Sequence, residues 1–384
     1  MILPSSLRIP PCVLAGEGSL AKLPPLAMEK GRRGVFVHGG ALAGGEARSS
    51  LDAAFRAAGL DVVPCRHRGG EPTLEEVEAL RSILRETRAD WVLAAGGGSV
   101  LDLAKAAAGL AGAPAAAADY QAGAAIPPSR LPFLAAPTTA GTGSEATEVA
   151  VLTNPAKSLK QSIRHPSFLP CTVALDPALL RDCPAPVLAA SGMDALTQAF
   201  ESLTSNKATP FTRALSELSL VRLAKALPAA YRGDRSADVL ADLLEGSFLA
   251  GVALSHARLG VVHGLAHPLG VRWGIPHGQA CAICLPAALA FNAPVIAGDL
   301  ARIEELLGTP FPRLVEDFLR EFHIESPLRG KAPDEDVLAA IVRETLASGS
   351  TAANPRPVDA AAVRALLDVL FAADPDARPP RVRP

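Results

Sequence analysis

The sequence predicts an α/β protein: a Rossmann-like parallel-sheet domain over residues 1–180, followed by an all-helical domain over residues 181–384. Three observations carry this. Short β-type runs alternate with helical patterns in the first part of the chain. That alternation stops after Asp176-Pro177, and helical periodicity takes over from Val187 to Phe371. Glycine-rich turns stand where strands end and helices begin. A chain of 384 residues also exceeds one average domain, and a hydrophobic fraction of 49% supplies a large core.

The elements follow in order. Val35-Phe36-Val37-His38 reads as a strand ended by Gly39-Gly40, and Asp61-Val62-Val63-Pro64 as a second. Pro72-Thr73 opens a helix, with Thr73 and Glu76 in capping-box positions and Leu74, Val77, Leu80 and Leu84 on one face. Trp91 to Ala95 is a third, buried strand and Leu131 to Ala136 a fourth. Strands separated by helices pair in parallel, and ligands bind such sheets beyond the carboxyl ends of the strands. Further on, Asn206 to Arg232 and Val239 to His256 read as long helices, and Pro375 to Pro384 as a frayed tail.

Composition excludes several function classes. A formal net charge of −2 with both signs interspersed gives no electrostatic footprint for nucleic acid or anionic lipid. No run of apolar residues is long enough for a transmembrane helix. The start, Met1-Ile2-Leu3-Pro4, lacks the basic and apolar segments of a secretory signal. Six cysteines in so long a chain do not make a disulfide framework, so a reduced, cytoplasmic enzyme is expected. Cys281 and Cys284 form a C-x-x-C pair, but Ala280 to Leu285 reads as an apolar helix face with two small fillers.

Two segments carry nucleotide chemistry. Gly96-Gly97-Gly98-Ser99, followed by Asp102 and Lys105, leaves a buried strand and opens a helix. Without Cβ atoms the backbone approaches a pyrophosphate closely, and free N–H groups at a helix start attract its charge. The other reading of this segment is a tight strand-to-helix turn that binds nothing. The loop Pro137-Thr138-Thr139-Ala140-Gly141-Thr142-Gly143-Ser144-Glu145 is rich in hydroxyls just beyond the next strand. It packs poorly and hydrogen-bonds well. Together, the loops favour a dinucleotide.

A metal constellation lies in the second half. Asp194 and Gln198 are four residues apart on one helix face, His263 and His267 share the same spacing, and His277 follows the turn Gly274-Ile275-Pro276. Imidazoles and a carboxylate converging from separate segments suit a divalent transition metal. Spacing does not decide which of these histidines are ligands.

Taken together, these motifs resemble the iron-containing, or group III, alcohol dehydrogenases across essentially the whole chain. The resemblance rests on Gly96 to Lys105, Pro137 to Glu145, Gly192-Met193-Asp194-Ala195-Leu196-Thr197, His263 to Gly278 and the late Asn354-Pro355-Arg356. It implies a dehydroquinate synthase-like architecture. NAD or NADP is expected in the first domain and Fe²⁺ or Zn²⁺ in the second. It also implies a small primary alcohol or aldehyde as substrate, and a homodimer. Its metal ligands fall at Asp194, Gln198, His263 and His277. His267 lines the site and is the expected proton relay. Gly97, Gly98, Ser99, Thr138, Thr139, Thr142 and Lys160 match cofactor-facing positions, and Gly39, Gly96 and Asp102 join them in the expected set.

This chain departs from the family pattern at several positions. Glutamine stands at 198 where histidine is usual, and an amide oxygen is a weaker donor than imidazole toward Fe²⁺ or Zn²⁺. Gly39 replaces a common acidic residue and admits a 2′-phosphate, while Glu71 replaces a common asparagine and favours NAD; the balance is slightly toward NAD. His256 replaces an asparagine and reads as structural or substrate-facing. A lyase or cyclase resembling dehydroquinate synthase, or an inactive nucleotide-binding relative, are the competing readings.

Overall fold

The structure, a computed structural model, describes residues 1–157, 159–331 and 333–373. The Pro375–Pro384 tail lies outside them. Contacts divide the chain into a sheet unit, residues 8–184 with 234–251, and a helical unit, residues 1–7, 185–233 and 252–384.

The sheet unit holds the strands β1 (Val13–Ala15), β2 (Arg33–His38), β3 (Asp61–Arg66), β4 (Trp91–Gly96), β5 (Phe133–Pro137), β6 (Val149–Asn154), β7 (Leu159–Arg164) and β8 (Thr172–Leu175). Six of them form an all-parallel sheet in the order β1-β8-β5-β4-β2-β3. β4 and β5 are buried along their whole length, which is why Trp91-Val92-Leu93-Ala94-Ala95 and Phe133-Leu134-Ala135-Ala136 read as continuous apolar runs rather than alternating ones. The remaining pair, β6 and β7, is a separate antiparallel hairpin.

The helices of this unit are α1 (Leu23–Met28), α2 (Gly45–Ala57), α3 (Leu74–Glu86), α4 (Gly98–Gly109) and α5 (Ala117–Gln121). Thr73 caps α3 as its sequence requires: its hydroxyl accepts from the Glu76 N–H, and the Glu76 carboxylate accepts from the Thr73 N–H. Val35, Val37, Val77, Leu80, Val92, Leu101 and Phe133 join in one apolar core between sheet and helices. Each such side chain contributes about 1.5–3 kcal/mol by leaving water.

The helical unit is built from α6 (Ala185–Thr204), α7 (Pro210–Tyr231), the end of α8 (Ala237–Ala257), α9 (Val261–Trp273), α10 (His277–Asn292), α11 (Ala297–Leu307), α12 (Phe311–Glu321), α13 (Glu335–Ala347) and α14 (Ala360–Phe371). From Gly192 to Thr204, α6 is buried all round, the mark of a central core helix. The Asn354 amide forms a clasp. Its Oδ1 accepts from the Val261 N–H (3.1 Å) and from Asn292 Nδ2 (3.1 Å), while its Nδ2 donates to Asn292 Oδ1 (2.7 Å) and the Arg356 carbonyl (2.7 Å). Arg356 completes it, with its guanidinium 4.3 Å from the Phe291 ring centre.

Candidate active site

The carboxyl ends of β5, β4, β2 and β3 stand side by side in the sheet, and the loops that follow them line a cavity of about 360 Å³. Gly39, Gly40 and Ala41 come from the end of β2, Arg66 to Gly70 from β3, Gly97 to Val100 from β4, and Thr138 with Thr139 from β5. This is the position at which open α/β sheets bind their ligands. At its floor α4 starts at Gly98 with no side-chain cap, leaving its first N–H groups for an anion. A Cβ on Gly98 would come within 2.6 Å of the Thr142 side chain, so the two glycine- and threonine-rich loops meet there without side chains to spare.

Of the expected cofactor residues, Gly39, Gly97, Gly98, Ser99, Thr138 and Thr139 line this cavity. Gly96, Asp102, Thr142 and Lys160 are not among the lining residues. Asp102 works beneath it, accepting from Ser144 Oγ (2.5 Å) and from the Val151 N–H (2.9 Å). Its neighbour Lys105 is fully buried and donates to the Ser144 and Val149 carbonyls at 2.5 and 2.8 Å. The pair thus fastens the threonine loop and the β6–β7 hairpin onto α4. Burial lowers the Lys105 ammonium to about 8 and raises the Glu145 carboxyl to about 7. Lys160 donates to Glu71 Oε1 at 2.7 Å. Arg66 and Arg68, cations in the cavity wall, were not foreseen; their signal was proximity to the end of a strand.

The second constellation lies in the helical unit. Asp194, His263, His277 and Cys281 each offer a ligand atom, and these atoms all lie within 4.8 Å of one another. Asp194 projects from buried α6. His263 comes from the first turn of α9, and His277 and Cys281 from the first two turns of α10. α10 reaches α6 because Gly278 lacks a side chain: a Cβ there would stand 2.1 Å from the Ala190 carbonyl oxygen. His263 Nε2 lies 3.3 Å and His277 Nε2 3.8 Å from Asp194 Oδ1, and Cys281 Sγ 3.7 Å from His277 Nε2.

Glu201 explains how His263 is aimed. Its Oε2 accepts a hydrogen bond from His263 Nδ1–H at 2.6 Å, leaving the Nε2 lone pair to face the cluster. Its Oε1 accepts from the Val262 N–H at 2.7 Å, so one carboxylate both orients the imidazole and caps α9. Sequence reasoning passed over Glu201. The signal was its place seven residues after Asp194, on the same face of a largely apolar helix.

Burial would raise the Asp194 carboxyl, but His277 and the His263 hydrogen bond outweigh it and hold the group at about 2. Burial would likewise raise the Cys281 thiol, yet the His263 and His277 imidazoles bring it below the ordinary range. Cys284, one turn on, is pushed well above that range by burial. The two-filler reading of C-x-x-C therefore holds for Cys284 and fails for Cys281, whose sulfur faces imidazoles rather than aliphatic carbons.

Gln198 lies one turn after Asp194 and is buried; it helps hold the Asp194 carboxyl low, and its Oε1 has no hydrogen-bond partner. A carboxylate, two imidazoles and a thiol gathered in this way are the donor chemistry that a divalent cation satisfies. His267 is half-buried and stacks on His277, ring centres 5.0 Å apart. His256 makes a helix-internal contact, Nδ1 to the Val252 carbonyl at 2.8 Å.

Comparison with known proteins points one way. Residues 10–177 match the family described as iron-containing alcohol dehydrogenase, and residues 188–371 the C-terminal part of the Fe-containing alcohol dehydrogenase family. The chain is 34% identical over 379 residues to the probable alcohol dehydrogenase EutG of Salmonella typhimurium, covering 96% of this chain and 90% of that one. It is 28% identical over 366 residues to the NAD-dependent methanol dehydrogenase of Bacillus methanolicus, covering 91% and 95%. Among solved structures, a 1,3-propanediol oxidoreductase superposes with a TM-score of 0.90 at 27% identity, over 96% of this chain and 100% of that one. Sulfoacetaldehyde reductase of Bifidobacterium kashiwanohense, in complex with NAD⁺, gives 0.88 at 27%, over 96% and 99%. The lyase expectation finds no support among these relatives.

Proposed function

The chain belongs to the iron-containing alcohol dehydrogenase family, and from that premise we propose that it interconverts small primary alcohols and aldehydes with a nicotinamide dinucleotide and one divalent cation. The observation that carries this reading is the convergence of Asp194, His263 and His277, whose ligand atoms lie within 4.8 Å of one another. Those residues would hold the cation, which when bound polarises the substrate oxygen as a Lewis acid. The dinucleotide, when bound, supplies or accepts the hydride.

The protein's own groups do the rest. The first N–H groups of α4, with Ser99, Thr138 and Thr139, hold the pyrophosphate. Glu201 keeps the His263 proton on Nδ1. The His267 imidazole, stacked on His277, carries the alcohol proton toward solvent, since imidazole titrates near neutrality.

Cofactor choice turns on the cavity wall. Arg66 and Arg68 belong to it, and no acidic residue does among the described residues. Glu71, the residue that favoured NAD, is tied to Lys160 instead. The reading is that NADP is accepted alongside NAD. A homodimer in the cytoplasm remains the expected working form.

A panel of short alcohols and aldehydes, followed at the reduced-nicotinamide absorbance with NAD and NADP, tests all of this. Run with Fe²⁺, with Zn²⁺ and after chelation, it is expected to give turnover with both dinucleotides that chelation abolishes. Turnover indifferent to chelation overturns the metal reading, and none with any member of the panel overturns the dehydrogenase.

A further inference from the structure

We propose that the Cys281 thiolate is itself a ligand of the cation, making this a carboxylate–imidazole–imidazole–thiolate site suited to zinc, with Gln198 outside the coordination sphere. The proposal rests on the metal reading above and deepens it.

The geometry of the donors is the first argument. Four donors arranged tetrahedrally about Zn²⁺, at about 2.1 Å for N or O and about 2.3 Å for S, stand about 3.3–3.8 Å from one another. Of the six separations here, three are 3.3 Å for His263 to Asp194, 3.8 Å for His277 to Asp194 and 3.7 Å for Cys281 to His277, and the others are no more than 4.8 Å. Cys281 is four residues after His277 on α10, so helical spacing alone stacks the sulfur on the imidazole side. Its residue is completely buried, so the sulfur's polar neighbours are these protein groups rather than bulk water.

The second argument is the state of Gln198. It stands one turn from Asp194 on α6 and is buried with it. It serves better as a brace for that carboxylate than as a donor, because an amide is a poor ligand for a borderline-soft cation and a thiolate a good one. A strong donor lost at position 198 is thus matched by a strong donor present at position 281. Loading the site releases the Cys281 Sγ proton to solvent and forms the metal–sulfur bond, with no change of oxidation state.

Cobalt(II) reports thiolate ligation directly. The demetallated full-length protein, reloaded with cobalt under anaerobic conditions, is expected to show an intense near-ultraviolet sulfur-to-cobalt charge-transfer band. That band should vanish in Cys281→Ser and persist in Cys284→Ser and Gln198→Ala. The other four cysteines lie in the sheet unit, so the Cys284 control leaves Cys281 as the remaining thiol of the helical unit. In competition assays Cys281→Ser should also weaken zinc binding by at least the ~10- to 100-fold that loss of a supporting group costs.

Should Cys281→Ser fail to fold, the wild-type and Cys284→Ser spectra still decide. Cobalt bound without the band, or a band lost in Cys284→Ser, overturns the thiolate ligand and leaves the cation reading standing. A protein that takes up no cobalt overturns both.

Discussion

Glu201 serves two donors, the imidazole that faces the cluster and the first turn of the helix bearing it, and both depend on its being an acceptor at each oxygen. Glu201→Gln places an N–H₂ opposite either His263 Nδ1 or the Val262 N–H. Metal affinity is expected to fall about 10- to 100-fold, measured by competition with a chromophoric chelator. An unchanged affinity would show that His263 is aimed by something else. His267 is tested differently: if it relays the proton, His267→Ala should lower kcat by more than about tenfold, or ~1.4 kcal/mol of barrier, and flatten the pH profile. A smaller loss makes it a wall of the pocket. At this scale the sequence drew notice to Asp194, His263, His267 and His277 as a group, but spacing did not say which of the histidines the fold would bring to Asp194. It concealed Cys281, because cysteine is equally at home in a core and only the fold reveals which neighbours the sulfur has.

The element that does most for the nucleotide cavity is α4, and its underside matters as much as its N-terminus. Lys105 and Glu145 are buried in the sheet unit beside the part-buried Asp102, where three ionisable groups share little water. Glu145 titrates at about 7 in the folded chain against 4.5 for the ordinary group, so the folded state binds its proton more tightly. Its contribution to stability is therefore complete below pH 4.5 and is lost as the pH rises to about 7. At about 1.4 kcal/mol for each pH unit, this amounts to about 3 kcal/mol. Glu145→Gln should escape that loss, so its advantage in denaturant unfolding over the wild type should grow between pH 5 and pH 7.5. A constant difference would refute the assignment. Lys105, at about 8, titrates above this window. Four of the six parallel strands and the capped α3 were legible because burial and capping leave local marks, whereas β1 and β8 are too short to show a pattern. The β6–β7 hairpin was not, since half of its residues face outward and β7, Leu-Lys-Gln-Ser-Ile-Arg, has too few apolar positions to set a period.

For the molecule as a whole, each ligand set falls within one unit: the cavity-lining residues in the sheet unit, the metal cluster in the helical one. Calorimetry should therefore show chelation lowering one transition and dinucleotide raising another. A ligand at a hundredfold excess over its Kd adds about 2.7 kcal/mol to the state that binds it. If both ligands shift a single transition together, the units unfold as one. The change from sheet to helix near residue 180 could be read from periodicity. The return of residues 234–251 to the sheet unit could not, because a helix carries no local sign of which neighbour it packs against. The Asn354 clasp has a consequence of another kind, for the order in which the protein is made. Asp194, His263, His277 and Cys281 all precede Asn354 in the chain, so they leave the ribosome before the residue that pins the start of α9. A nascent chain thus has all four side chains before it has the clasp that pins α9, and the cluster takes its final form only in the finished polypeptide.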